Sequence, residues 1–314
     1  MATPHLTPDA ADELICEHQQ LPKLRSNCGG HLNQNSVGWL RKTSTDTSLD
    51  EMGMRFKADG YLFVKGLVPR EDILDVRQRY FEHLRSGGIL KAGTEPKEGI
   101  FETTQDRLVH NGVGGRDLQE DHERQKLSQS AHTLPVYLTS LEHSDFRDLI
   151  CRLMGWDKDV ILKCTLLRHT VSNGFSTDCH YDRICLRAGE DFLITWVPIG
   201  DCAADEGGMR YLEGSTDIGV AMGEECMECA EYLMREEHID GLNQNMARDG
   251  QLSHSVVGLD ANIKVKSSSS SRRRQWLAAD YEAGDVVFHN PHMIHGAVKN
   301  EKWMRDVWRL CDRL

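Results

Sequence analysis

Gly284-Asp285-Val286-Val287-Phe288-His289-Asn290-Pro291-His292-Met293-Ile294-His295-Gly296 joins a short β-prone run to three imidazoles. A short apolar run of this kind, Val286-Val287-Phe288, bounded by turn residues, reads as a buried strand. It is one of a series. Upstream lie Val160–Leu167, Ile184-Cys185-Leu186, Phe192–Ile199 and Gly207-Gly208-Met209-Arg210-Tyr211-Leu212, and downstream Val307-Trp308-Arg309-Leu310-Cys311. Many short strands separated by turns predict a mainly β chain. The expected core is a jelly roll, that is, a double-stranded, cupin-like β-helix.

Ahead of this region the periodicity is helical. Ile73, Leu74, Val76, Tyr80, Phe81 and Leu84 recur at helical spacing, and Gly87-Gly88 ends that helix. Leu138, Leu141, Phe146, Leu149, Ile150 and Leu153 give a second helical region over Leu134–Met154. Tyr61-Leu62-Phe63-Val64 is a further β-prone run. The expectation is thus a flexible N-terminal arm over 1–48 and one domain over 49–314, with N-terminal helices flanking the jelly roll. An insertion at 218–277 begins with a helical stretch, Glu224–Leu242. It then carries a mobile Ser/Arg loop at 264–275, because five serines followed by Arg272-Arg273-Arg274 offer no apolar surface to bury.

Composition narrows the function. The 314 residues are 39% hydrophobic and 27% charged, and the net charge of −12 argues against nucleic acid and anionic membrane surfaces as partners. The N-terminus lacks the basic start and apolar core of a signal peptide, and no apolar stretch is long enough to span a bilayer. A cytoplasmic location is expected, with the ten cysteines as reduced thiols. The one Cys-x-x-Cys, Cys226–Cys229, reads as two cysteines on a helix face rather than as a zinc or redox pair.

The chemistry centres on His180 and Asp182. Residues two apart on a strand share a face, so both side chains can reach one ion. Adding a remote imidazole from His289, His292 or His295 gives two nitrogens and one carboxylate oxygen. This is the facial triad that holds Fe(II) and leaves three coordination places open. A zinc hydrolase built on His289, His292 and His295 is a competing reading, weakened by the lack of a general base at fixed spacing.

Five pieces occur in an order that resembles the phytanoyl-CoA dioxygenase-like (PhyH) family of Fe(II)/2-oxoglutarate oxygenases, over about residues 50–310. They are Phe56–Val68, His180-Tyr181-Asp182, Thr195-Trp196-Val197-Pro198-Ile199-Gly200-Asp201, Glu206–Ser215 and Ala283–Gly296. The combination looks most like the fungal and bacterial branch that works on small metabolites. The resemblance implies His295 as the third ligand, and Fe(II), 2-oxoglutarate and O2 as cofactor and co-substrates. It also implies an arginine after His295 that binds the remote carboxylate of 2-oxoglutarate. Arg309, in Trp308-Arg309-Leu310-Cys311-Asp312, is favoured and Arg305 stays in play. Trp196 is expected in the core or the cofactor-side wall. A carboxylate at position 182 implies oxygen chemistry without halogenation.

The implied function is oxidation of a small organic metabolite in secondary metabolism, by hydroxylation, desaturation or rearrangement. An acyl-CoA substrate and a non-catalytic jelly-roll binding protein with a vestigial metal site are the alternatives. A homodimer is the expectation taken from relatives.

Overall fold

In the computed structural model, the structure describes residues 20–26, 30–107, 123–162, 165–174, 176–184, 192–229, 255–256, 259–260, 263–265, 271–300 and 308–311. Its strands, in chain order, are β1 (Val37–Trp39), β2 (Lys42–Thr43), β3 (Tyr61–Val64), β4 (Leu166–His169), β5 (Ile194–Trp196) and β6 (Met209–Leu212). They continue as β7 (Ser255–Val256), β8 (Leu259–Asp260), β9 (Ile263–Val265), β10 (Ser271–Arg273), β11 (Trp276–Ala278), β12 (Val286–His289), β13 (His295–Ala297) and β14 (Trp308–Cys311).

Two four-stranded sheets form the core, ordered β1-β11-β6-β13 and β2-β3-β12-β5, and neither closes into a barrel. This is the jelly-roll arrangement. Alternation along β3 and β12 explains the layering. Tyr61, Phe63 and Val287 point inward to a cluster with Trp196, Met209, Tyr211 and Leu277 from the other strands. Leu62, Val64, Val286 and Phe288 point outward into a second cluster with Ile73, Tyr80, Phe81, Phe146 and Ile150. Those last residues belong to helices Arg70–Leu84 and Ser144–Met154. Every position of β3 and β12 is therefore buried, which is why these strands read as continuous apolar runs.

Helix Leu49–Asp59 is capped by Ser48, whose hydroxyl accepts from the Glu51 amide. It stops at Gly60, which sits at φ 77°, and a Cβ there would lie 2.5 Å from Thr216 Oγ1. The single helical region expected over Leu134–Met154 is two helices, Pro135–Leu141 and Ser144–Met154, with a break at Glu142-His143.

Three expectations need correction. Residues 20–26 and 30–48 are not a loose arm: β1 and β2 each join a sheet, and Leu21, Leu24 and Leu32 pack with Trp276 and Ile294; residues 1–19 and 27–29 of the expected arm lie outside the described residues. The few apolar residues in this polar segment suffice to cover the outer face of the first sheet. The loop at 264–275 is structured at both ends, where β9 and β10 pair antiparallel. Its arginines find partners that spacing does not reveal. Arg272 pairs with Glu213, and Arg274, 6% exposed, donates to the Glu213 and Gly214 carbonyls and pairs with Asp217. Residues 266–270 lie outside the described residues, as does the continuation of helix Thr216–Cys229 toward Leu242. Finally, Asp182–Ile184 is a 3-10 turn rather than strand.

Candidate metal centre and co-substrate cavity

The site lies between the two sheets, and register explains why. His295 opens β13 directly opposite Tyr211 of β6, and Tyr211 belongs to the inter-sheet core. Directly opposed residues in an antiparallel pair share a face, so His295 looks into the same interior. His289 lies on β12 opposite Ile194 and Tyr61, two residues from the inward-facing Val287.

His180 reaches this interior by a different route from the one spacing predicted. It forms an isolated antiparallel bridge with His295, with His180 N–H donating to the His295 carbonyl at 2.9 Å and His295 N–H returning at 2.8 Å. Gly296 permits the approach, since a Cβ on it would lie 3.3 Å from the backbone of Cys179. The chain then enters the 3-10 turn, anchored by Arg183 N–H to the Pro291 carbonyl at 2.8 Å, and Asp182 heads that turn.

The three side chains converge. His180, Asp182 and His295 each offer a ligand atom, and these atoms all lie within 4.8 Å of one another. His180 Nε2 is 3.6 Å from Asp182 Oδ1, and His295 Nε2 is 3.4 Å from Asp182 Oδ2. All three residues are buried. Both imidazoles are oriented through Nδ1: His180 bonds the Asp178 carbonyl at 2.7 Å and His295 the Met293 carbonyl at 2.9 Å. A carbonyl accepts only, so Nδ1 carries a proton in both rings and Nε2 is the atom turned toward the carboxylate. Burial, only partly countered by Asp182, holds the His295 imidazole well below its ordinary pKa and hence neutral. Two imidazole Nε2 atoms and a carboxylate, buried together and facing one point, fit a divalent ion.

His289 adds a fourth group. Its Nε2 lies 3.2 Å from Asp182 Oδ2, and its ring packs 4.6 Å from that of His295 and edge-on to Tyr211. With its proton on Nε2 it donates to the carboxylate and orients it. His292 lies away from the cluster, stacked on Tyr181.

A cavity opens over this centre, lined by Leu166, Arg168, Thr177, Ile194, Thr195, Trp196 and Met209 as well as His180, Asp182, His289 and His295. Trp196 is both wall and core, packing edge-on against Tyr281 at 4.7 Å. Arg309 sits on β14 directly opposite Arg168 of β4. Arg305 lies outside the described residues. Sequence reading missed Arg168 and Thr177. The signal for Arg168 was its i, i+2 relation to Leu166 at the end of a β-prone run.

A jelly roll with two histidines and a carboxylate gathered between its sheets is the architecture of a non-haem iron oxygenase. The sequence matches the family model described as Phytanoyl-CoA dioxygenase (PhyH) over residues 56–302. The chain belongs to the phytanoyl-CoA dioxygenase family and is a non-haem Fe(II)- and 2-oxoglutarate-dependent dioxygenase that uses O2.

A search of curated proteins gives no match. Among solved structures, the chain is similar to the non-heme alpha ketoglutarate dependent carbocyclase SnoK from nogalamycin biosynthesis, at 17% identity and TM-score 0.49, covering 82% of this chain and 80% of that one. It is similar to the non-heme monooxygenase ThoJ in its Ni complex, at 16% identity and TM-score 0.44, covering 81% and 72%. AviO1 from Streptomyces viridochromogenes Tue57 aligns at 14% identity and TM-score 0.41, covering 84% and 93%. No helix among the described residues is long and apolar enough to cross a membrane.

Proposed function

We propose that His180, Asp182 and His295 hold Fe(II) and that the protein oxidises a C–H bond of a small organic metabolite, in secondary metabolism. The observation that carries this reading is the convergence of the three ligand atoms within 4.8 Å, with both imidazoles locked through Nδ1. Bound Fe(II) supplies oxidative decarboxylation of 2-oxoglutarate to succinate and CO2, coupled to oxidation of the substrate. The chain's own residues supply position and shelter. His180, Asp182 and His295 would hold the ion, and the cavity over them would receive co-substrate and substrate. Burial between the sheets keeps bulk water from the reacting C–H bond.

Arg309 is the proposed partner of the remote carboxylate of 2-oxoglutarate, in preference to Arg305. Its position opposite a cavity-lining residue supports this choice, and a guanidinium fork suits a carboxylate. Trp196 is the proposed wall on the co-substrate side. The mix of apolar Leu166, Ile194 and Met209 with the hydroxyls of Thr177 and Thr195 suits a compact, largely apolar molecule with few polar groups. Hydroxylation, desaturation and rearrangement are all open to such a centre. A homodimer is the proposed oligomeric state, to be measured by sedimentation.

The test is succinate release from 2-oxoglutarate under air with Fe(II), across a panel of small metabolites and acyl-CoA thioesters. Turnover stimulated by a small metabolite and abolished in His180→Ala supports the reading. Stimulation by acyl-CoA alone overturns the substrate class, and wild-type turnover that survives in His180→Ala overturns the ligand assignment.

A further inference from the structure

Strand β4 is a cavity wall that stands apart from the core sheets. Leu166 and Arg168 line the cavity over His180, Asp182 and His295, while Leu167 between them enters the helix-side core. Among the described residues β4 pairs with β14 alone, outside the two four-stranded sheets. Alternate residues of an antiparallel strand turn their amides away from the partner, and each such amide needs an acceptor of its own. At Leu167 that acceptor is a side chain: the Leu167 N–H donates to His132 Nε2 at 2.9 Å.

His132 is a fixed post. It sits in the 3-10 turn Ala131–Thr133, between helices Glu123–Ser130 and Pro135–Leu141. Ala131 is fully buried in the helix-side core, and the Leu134 N–H closes the turn on the Ala131 carbonyl at 3.1 Å. The imidazole packs edge-on against Tyr137, with ring centroids 5.7 Å apart. Its two nitrogens have opposite duties. Nδ1 lies 2.9 Å from the Gln129 carbonyl, which only accepts, so Nδ1 carries the proton. Nε2 receives the Leu167 amide, which only donates, so Nε2 is bare and the ring is neutral. Burial, ahead of the opposing pull of the Gln129 and Ser128 carbonyls, holds its pKa below the ordinary value and favours that state. The helix layer meets β4 once more where the Tyr80 hydroxyl and His169 Nδ1 lie 2.5 Å apart. The two ties bracket Arg168.

We propose that His132 is a positioning residue for the reaction cavity: by holding the Leu167 amide it sets where Leu166 and Arg168 stand over the candidate metal centre. What fills the cavity rests on the Fe(II)/2-oxoglutarate reading; the tie between His132 and β4 does not. Without the acceptor, the Leu167 amide is left unmade and β4 drifts toward other partners. A cavity whose wall drifts loses affinity for its occupant. The metal ligands stay in place, because His180 and His295 are held to each other by their own backbone bridge. The signature of the arrangement is therefore a split, with co-substrate affinity lost and metal affinity kept.

The test compares the wild-type full chain with His132→Leu, which fills the space without an acceptor, and His132→Gln, whose Oε1 can take the Leu167 amide. Three quantities are read: hydrogen exchange of peptides covering Leu167 by mass spectrometry, Fe(II) affinity by chelator competition, and anaerobic binding of 2-oxoglutarate to the Fe(II)-loaded protein by its visible charge-transfer absorption. His132→Leu is expected to speed Leu167 exchange and to weaken 2-oxoglutarate binding about two- to tenfold, with Fe(II) affinity unchanged. His132→Gln should return both toward wild type. His132→Ala carries the comparison should the Leu variant not fold. Unchanged 2-oxoglutarate binding in His132→Leu, a loss that His132→Gln does not recover, or an equal loss of Fe(II) affinity overturns the proposal. Wild-type protein that binds Fe(II) but no 2-oxoglutarate overturns the co-substrate reading instead. Leu167 exchange then decides the tie: faster in His132→Leu and restored in His132→Gln upholds it, and equal exchange in all three proteins overturns it.

Discussion

His289 Nε2 lies 3.2 Å from Asp182 Oδ2, joining the end of β12 to the carboxylate of the candidate metal centre. The bond fixes which way the carboxylate faces, because His289 is rooted in a strand buried on both sides. Replacing it should loosen the ligand without removing it. His289→Ala is expected to weaken Fe(II) binding about ten- to a hundredfold, the usual effect of losing a partner behind a metal ligand. His289→Gln, which can still donate to Asp182, should recover part of that loss. A chelator-competition titration reads both, and equal affinities in all three proteins would show that His289 does not orient the carboxylate.

Metal binding should register as folding stability. Fe(II) at about a hundredfold over its dissociation constant adds about 2.7 kcal/mol to any protein that binds it only when folded. For a chain of this size the thermal midpoint should rise by several degrees on loading and fall back with chelator. Asp182→Asn keeps the shape of the site and removes its charge, so its midpoint should be insensitive to Fe(II). Scanning calorimetry of both proteins, with and without chelator, decides the matter.

The helix-side core should be far less tolerant than the exposed helix faces. Phe288 is fully buried where β12 meets the helices, and Phe288→Ala should cost about 3–5 kcal/mol in urea unfolding. Met54, 61% exposed on helix Leu49–Asp59, should change stability by less than about 0.5 kcal/mol when cut to alanine.

Acid stability should depend on a clamp at the edge of the second sheet. Arg70 grips Asp201 through both nitrogens, at 2.6 and 2.8 Å, and the Ala283 amide donates to the same carboxylate at 3.1 Å. Arg70 first, and then the Ala283 amide, holds the Asp201 carboxyl below its ordinary 3.8. A depressed carboxyl contributes stability that is complete above its unfolded value and is lost as pH falls through the lower folded one. Both side chains are about half exposed, so the contribution is below about 1 kcal/mol. Arg70→Met should lower stability at neutral pH by that small amount and flatten the decline below pH 3.8, read from urea midpoints in a pH series.

Much of the fold was legible because its strands are buried on both faces and so appear as unbroken apolar runs, as in Tyr61–Val64 and Val286–Phe288. The convergence of His180 and Asp182 was legible because they are neighbours in sequence, although the expected strand turned out to be a bridge and a 3-10 turn. Arg168 was only faintly legible: its alternation with Leu166 marks a shared strand face, and the cavity which that face lines is assembled from β5, β6, β12 and β13, all remote in sequence. Residues 20–26 and 30–48 were misjudged for a similar reason. Leu21, Leu24 and Leu32 are too widely spaced to show a period, and only the sheet they cover explains them.

The reciprocal amide–carbonyl pair between His180 and His295 sets the gap between the two imidazoles like a caliper locked before any ion arrives. Divalent ions of similar radius would enter without disturbing the ladder, so the aperture does not tell them apart. Affinity at such a nitrogen and oxygen site rises from iron toward copper. Which ion fills this protein in a cell is then decided by supply, and nickel, cobalt and copper are expected to be inhibitors that compete directly with iron.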